Sequence, residues 1–302
     1  MKLQGKRIVI TGATGQVGLP VAKALAQTNE VWAAARFSNA AARNELEAAG
    51  VKCAVIDLAT GDLAAIPDDV DACIHLAVSR SGDFDVDLTD NAEATGLLMQ
   101  RCQNAGAFLY CSSTAVYEPK DHDAINERDP LGDNHRVMFP TYSIVKIATE
   151  AVARTCARLY NLPTVITRLN VPYGDNGGWP YFHVLMMQGG MDIPVHTNGP
   201  SVYNPIHEQD IIGAIPSLLG AASVPATIVN LAGDEEVSIE DWCAYLGDLT
   251  GLQPKIAPTD NTLESVATDN TKLRELGWKQ TVTWRDGLRR MVESKFPDLL
   301  QG

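Results

Sequence analysis

Arg7-Ile-Val-Ile-Thr-Gly-Ala-Thr-Gly-Gln-Val-Gly18 is the stretch that decides the fold. Residues 7–11 read as a short β-rich strand, and apolar residues at helical spacing begin at Val17 and continue to about residue 27. A glycine-rich turn joins the two. In such a strand–turn–helix unit Gly12 permits the tight turn and Gly15 lets backbone N–H groups approach a pyrophosphate. Gly18 allows the helix to pack close to the strand, and the helix N-terminus favours negative charge. Thr14, Gln16 and Val17 complete the loop. The spacing is G-x-x-G-x-x-G, so the triplet takes its weight from its context.

Outward from this unit, apolar runs alternate with helical patterns. Strands are expected over residues 30–35, 52–56, 72–76, 108–112, 163–168 and 226–231, and helices over 40–49, 86–105, 141–160 and 208–219. Strands that are apolar throughout and separated by helices indicate a parallel sheet covered on both faces, with right-handed crossovers. The expected fold is α/β: a doubly wound parallel Rossmann sheet with a smaller, discontinuous C-terminal substrate lobe. The dinucleotide-binding domain would take residues 1–174 and 205–233, and the lobe 175–204 and 234–302. Residues 174–204 are rich in Gly, Pro and aromatics without a clean period, and the tail over 268–296 reads as helical and polar.

The 302 residues are 45% hydrophobic and carry a net charge of −13, which leaves no basic footprint for nucleic acid. No apolar run is long enough to span a bilayer, and no signal-peptide pattern opens the chain, so a cytoplasmic enzyme without a membrane partner is expected. The six cysteines include no Cys-x-x-Cys pair and the six histidines no ligand spacing, so no metal site is expected.

Cofactor choice rests on the end of the second strand. Enzymes that use NAD commonly place an acid there for the ribose 2′-hydroxyl. Here Ala34-Ala35 is followed by Arg36, whose guanidinium matches a phosphate in shape and charge. NADP is therefore expected, with NAD as the alternative. Asp57-Leu58 closes the third strand, where an adenine would be held.

Tyr142-Ser-Ile-Val-Lys146 falls on an expected helix, and a spacing of four sets both side chains on one face. A free phenol titrates near ~10, and a nearby ammonium favours its charged form. Such a pair can exchange a proton with a substrate hydroxyl or carbonyl. Ser113 lies at the carboxyl end of the fifth strand, where ligands of open α/β sheets bind, and its hydroxyl can hold the reacting oxygen.

Together with His75-Leu76-Ala77, Ser112-Ser-Thr-Ala-Val-Tyr117, residues 168–174 and Leu276-Gly-Trp278, these motifs resemble the extended short-chain dehydrogenase/reductase family, also called the NAD(P)-dependent epimerase/dehydratase family. The resemblance runs through nearly the whole chain. It implies Tyr142 as acid/base, Lys146 as ribose contact and modifier of tyrosine ionisation, and Ser113 as the residue positioning the substrate oxygen. It further implies that Val78 lines the cofactor cleft and that the chain forms a homodimer through helices of the 86–105 and 141–160 type.

Two departures bear on substrate. Nucleotide-sugar members carry an Asn three residues after the Arg that ends the sixth strand; counting from Arg168 reaches Val171, with Asn170 one residue early. They also place an Arg before the aromatic-Ile-His segment, where this chain has Tyr203. Burying a diphosphate without a cation is costly, which weakens a nucleotide-sugar reading. Tyr173, Trp179 and Tyr203 head a set of aromatic candidates for the substrate pocket, and His183 and His207 read as contacts or packing residues. The leading expectation is an oxidoreductase moving hydride between NADP(H) and a small or medium carbonyl/alcohol substrate. An NAD(P)-dependent sugar epimerase or dehydratase is the alternative, and a non-catalytic dinucleotide sensor comes third.

Overall fold

The computed structural model describes residues 2–300. Seven strands form one sheet: β1 (Arg7–Thr11), β2 (Glu30–Ala35), β3 (Lys52–Val55), β4 (Ala72–His75), β5 (Ala107–Ser113), β6 (Thr164–Leu169) and β7 (Thr227–Leu231). All are parallel, in the order β7-β6-β5-β4-β1-β2-β3. Burial follows position: β4 and β6 are buried at every residue, whereas β3 at the edge alternates with solvent. The chain winds outward from β1 to β3, then returns to lay β4 on the other side of β1. That reversal opens a crevice at the carboxyl ends of the two strands, where open α/β sheets take their ligands.

The helices are α1 (Gly18–Ala26), α2 (Ala40–Ala48), α3 (84–101), α4 (Tyr142–Leu159), α5 (Trp179–Gln188), α6 (Glu208–Gly220), α7 (Ile239–Thr250) and α8 (Trp284–Lys295). Apolar residues of α1, α2 and α6 (Val21, Leu25, Leu46, Ile211, Leu218) cover one face of the sheet. Those of α3 and α4 (Leu98, Met99, Ala153, Cys156) cover the other. Helix α3 differs from the periodic expectation: it runs as Phe84–Asp87, a π-helical segment Leu88–Glu93, and Ala94–Arg101. The wide turn lets Asn91 and Asp87 point back at the loop after β4.

A third apolar cluster, around Trp242, Val184, Leu246 and Met291, underlies the C-terminal lobe and also takes in Val116, Tyr117, Ile125, Val171 and Tyr173. Within the aperiodic stretch, Pro180 at the start of α5 sets a helix that hydropathy spacing did not announce. Pro205–His207 pairs with Val171–Gly174, which turns back on Gly177–Gly178. The tail holds two helices, Thr271–Glu275 and α8, in place of one, because Gly277 takes a positive φ between them.

Candidate active site

The glycine loop closes against β4 because it has no side chains to prevent it. A Cβ on Gly12, whose φ is +68°, would lie 2.6 Å from the Ala77 nitrogen, and one on Gly18 would lie 2.2 Å from the Gly12 carbonyl oxygen. Gly15 is exposed at the crest. The first turn of α1 has neither a side-chain cap nor an acidic residue, which leaves the positive end of the helix open to an anion, while the Leu19 N–H is taken by the Gly15 carbonyl at 2.9 Å and Pro20 has none. Gly12, Thr14, Gly15, Arg36, Asp57, Leu58, Leu76, Ala77 and Val78 line one cleft, together with Phe37, Ser38 and Ser79. The Asp57 carboxylate accepts from the Ala59 N–H at 3.1 Å, fixing the turn after β3. Such a cradle, with backbone N–H groups at one end and a guanidinium at the other, fits a nicotinamide dinucleotide. Val17 faces the apolar space beneath the loop and Gly18 is buried against Gly12, while Gln16 donates to the Pro172 carbonyl at 3.1 Å and does not line the cleft.

Tyr142 opens α4, and Lys146 follows one turn later, buried, donating to the Cys111 carbonyl at 2.8 Å. Its ammonium lies 5.0 Å from the Tyr110 ring centre and 5.9 Å from that of Tyr142. Burial alone would lower the Lys146 pKa, but the Tyr110 and Tyr142 phenols beside it raise it, and the net direction is upward. Lys146 therefore stays charged. Ser113 ends β5, where its hydroxyl accepts from the Ala115 N–H at 3.1 Å. His75 is sealed between Thr11 and Thr95, at 2.6 and 2.9 Å. Burial, reinforced by the Lys146 charge, lowers its pKa to about 3 and keeps it neutral.

Tyr142 and Ser113 line a second cavity of about 390 Å³, a size ordinary for small-molecule sites. It adjoins the cofactor cleft, since Gly15 and Ser79 line the one and their neighbours Gln16 and Arg80 the other. Trp179 and Tyr203 contribute ring faces, 5.1 Å apart and edge to face. The Tyr203 hydroxyl points out of the cavity, donating to the Glu264 carbonyl at 2.7 Å. Tyr173 does not reach the cavity. It is buried in the lobe with its hydroxyl at the Trp284 carbonyl and its ring edge-on to His207. His183 accepts from the Trp242 indole at 2.8 Å, and His207 caps α6, so both are packing residues.

Asn170 reaches the cavity wall, but its amide donates to the Val266 carbonyl at 2.8 Å and its oxygen accepts from the Asn204 N–H. Arg168 is committed to Glu150 in a bidentate pair at 2.8 and 3.0 Å. Arg80, His135 and Phe139 are among the lining residues that the sequence reading does not single out. Arg80 carries a signal, a cation just beyond the carboxyl end of a strand at the crevice. His135 and Phe139 come from a long loop without periodicity and carry none. The His135 pKa is lowered to about 4 by burial and by the neighbouring Arg80 charge, so it too is neutral near pH 7.

Seven parallel strands, a glycine loop at the reversal of strand order and a tyrosine–lysine pair beside it define a dinucleotide-dependent enzyme of the α/β class. The sequence profile of the NAD dependent epimerase/dehydratase family matches residues 8–232, and the chain belongs to that family. A trifunctional UDP-glucose 4,6-dehydratase/UDP-4-keto-6-deoxy-D-glucose 3,5-epimerase/UDP-4-keto-L-rhamnose-reductase of Arabidopsis thaliana is 27% identical over 95% of this chain and 47% of its own length. The chain thus spans about half the length of that relative, and less of its two Arabidopsis homologues. Among solved structures, UDP-glucuronic acid 4-epimerase from Bacillus cereus, in complex with UDP-glucuronic acid and NAD, superposes with a TM-score of 0.82. It is 20% identical, over 95% of this chain and 98% of that one. UDP-N-acetylglucosamine 4-epimerase from Methanobrevibacter ruminantium M1 gives 0.84 at 19% identity, over 98% and 99%. At these identities the structures share the fold.

Proposed function

We propose that this chain is an NAD(P)-dependent enzyme that oxidises and re-reduces a secondary alcohol carbon of a sugar derivative, in the manner of an epimerase. This moves the emphasis from the simple carbonyl reductase that the sequence favoured to its epimerase alternative, because the relatives are sugar epimerases and dehydratases. One observation carries the choice within that pair: among the described residues, no carboxylate lines the cavity that holds Tyr142 and Ser113. Dehydration must remove a proton from one carbon while protonating a leaving hydroxyl on its neighbour, which calls for an additional acid and base. With His135 neutral and Tyr142 committed to the reacting oxygen, this cavity offers little for that second task.

In this reading Tyr142 takes the proton from the substrate hydroxyl and returns it, while Ser113 holds the same oxygen. Lys146 keeps its charge beside the ring, its ammonium 5.9 Å from the Tyr142 ring centre. A bound nicotinamide would accept the hydride and give it back. Arg36, with Ser38 next to it in the cleft, supports NADP over NAD, and the exposed Phe84, Val86, Leu97 and Ile144 on α3 and α4 support a homodimer through those helices. A net carbonyl reductase remains the second reading, favoured by Tyr203 standing where a diphosphate-clamping arginine would be.

The test is to purify the protein, assay retained dinucleotide after denaturation, and follow UDP-glucose, UDP-glucuronate and their free sugars by proton NMR. Interconversion of epimers without net consumption of NADPH is expected, and Tyr142→Phe should slow it by ~10²–10⁴-fold with cofactor binding intact. Stoichiometric oxidation of NADPH by a carbonyl panel would establish the reductase reading instead, and a 4,6-dehydration product would refute the argument from the missing carboxylate.

A further inference from the structure

Arg80 is the one Lys or Arg among the described residues lining the cavity. It is exposed, its guanidinium carbon lies 5.2 Å from the Phe139 ring centre and 5.9 Å from that of Tyr142, and no carboxylate among the described residues pairs with it. The segment that carries it is nonetheless rigidly held. Asn91, in the π-helical part of α3, accepts from the Ser79 N–H at 2.9 Å and donates to the Ser79 carbonyl at 3.1 Å. Asp87 accepts from the N–H groups of Ser81 and Gly82, at 2.7 and 3.2 Å, and from the Ser81 hydroxyl at 2.9 Å. Its second oxygen also accepts from the Thr141 hydroxyl at 2.6 Å, one residue before Tyr142. Four donors thus occupy the one carboxylate near Arg80 in sequence that is buried, and the same carboxylate ties the Arg80 loop to the start of α4.

A guanidinium left without an ion pair among the described residues, lying over aromatic rings beside Tyr142 in a cavity that none of their acids lines, is arranged to receive an anion. We propose that Arg80 is a specificity-determining residue that binds a carboxylate carried by the sugar itself, close to the carbon whose hydroxyl Tyr142 serves, so that the substrate is a sugar acid. The inference rests on the reading of Tyr142 as the reacting end of the site. The aromatic faces of Phe139 and Trp179 would then cover the apolar side of the ring.

Calorimetric titration of the protein saturated with its preferred dinucleotide tests this with two matched pairs: D-glucuronate against D-glucose, and UDP-glucuronate against UDP-glucose. The acidic member of at least one pair should bind tenfold or more tightly than its neutral counterpart. Arg80→Met should erase that preference, Arg80→Lys should restore part of it, and neither should change cofactor affinity. Binding of neither acid, or a preference that survives Arg80→Met, overturns the proposal. So does an equal loss of UDP-glucose and UDP-glucuronate, which would assign Arg80 to the diphosphate, or weakened cofactor binding, which would assign it to the dinucleotide. Tyr142→Phe separates this from the catalytic reading: it should retain the preference for the acid while losing turnover, and turnover that persisted would sink the role of Tyr142 without touching the binding result.

Discussion

Lys146 and Arg36 carry the same charge in opposite surroundings, and that difference sets what each can do. Lys146 is buried, bonded to a main-chain carbonyl and flanked by two phenols, so its charge acts at short range on the ring it faces. Arg36 is exposed at the mouth of the cleft, with no ion pair among the described residues, while the next arginine, Arg43, is taken by Glu47 and lies over Phe37. A 2′-phosphate is the part of a dinucleotide that would use the free guanidinium. A charge-assisted hydrogen bond contributes about 1.5–3 kcal/mol, so Arg36→Ala should weaken NADPH ~10–100-fold and leave NADH nearly unchanged. Fluorescence titration with both nucleotides decides it, and an equal effect on the two would remove Arg36 from cofactor discrimination.

Elements are locked together by polar groups as well as by apolar faces. The carboxyl end of β6 and the middle of α4 meet through Arg168 and Glu150, both about 3% exposed, with the Ser112 hydroxyl of β5 donating to the same carboxylate at 2.7 Å. The Arg168 guanidinium lies over the Tyr117 ring at 4.7 Å. The pair therefore sets the spacing between the strand end that carries Ser113 and the helix that carries Tyr142. Removing one partner strands a buried charge and costs about 3–5 kcal/mol, whereas replacing both with apolar groups of similar volume costs much less. Glu150→Ala should accordingly lower the urea midpoint sharply, and Glu150→Met with Arg168→Met should recover most of it. A double variant no more stable than the single one would show that the pair contributes more than mutual neutralisation. From sequence, Arg168 was legible as the end of a strand, but nothing announced Glu150 as its partner 18 residues earlier.

Over the whole molecule, the histidines report how burial couples folding to pH. His75, His135 and His183 have pKa values lowered to about 3, 4 and 4, by burial in each case, with Lys146 adding to the first and Arg80 to the second. An unfolded histidine titrates near ~6.5, so the unfolded chain binds these protons first. Stability is fully present above that value and is lost as pH falls from about 6.5 toward 4, by up to about 1.4 kcal/mol per histidine per pH unit. Urea midpoints measured from pH 7.5 to 4.5 should decline through this window, before most carboxylates titrate. A midpoint constant down to pH 4.5 would mean that these rings are protonated in the native state.

What the sequence alone determined is what local patterning controls. Continuous apolar runs made the strands, 3.6-residue spacing made the long helices, and glycines at 12, 15 and 18 made the dinucleotide turn, because each depends on residues close together in the chain. The family and the adjacency of Tyr142 and Lys146 follow from such short-range patterns. The π-helical turn in α3, the inward tilt of Tyr173 away from the cavity, and the meeting of Arg80, His135 and Phe139 around Tyr142 were decided only by tertiary structure. Those residues lie on separate loops, and their arrangement is set by buried groups such as Asp87 and Asn91, whose partners are chosen by packing and hydrogen-bond satisfaction across the fold.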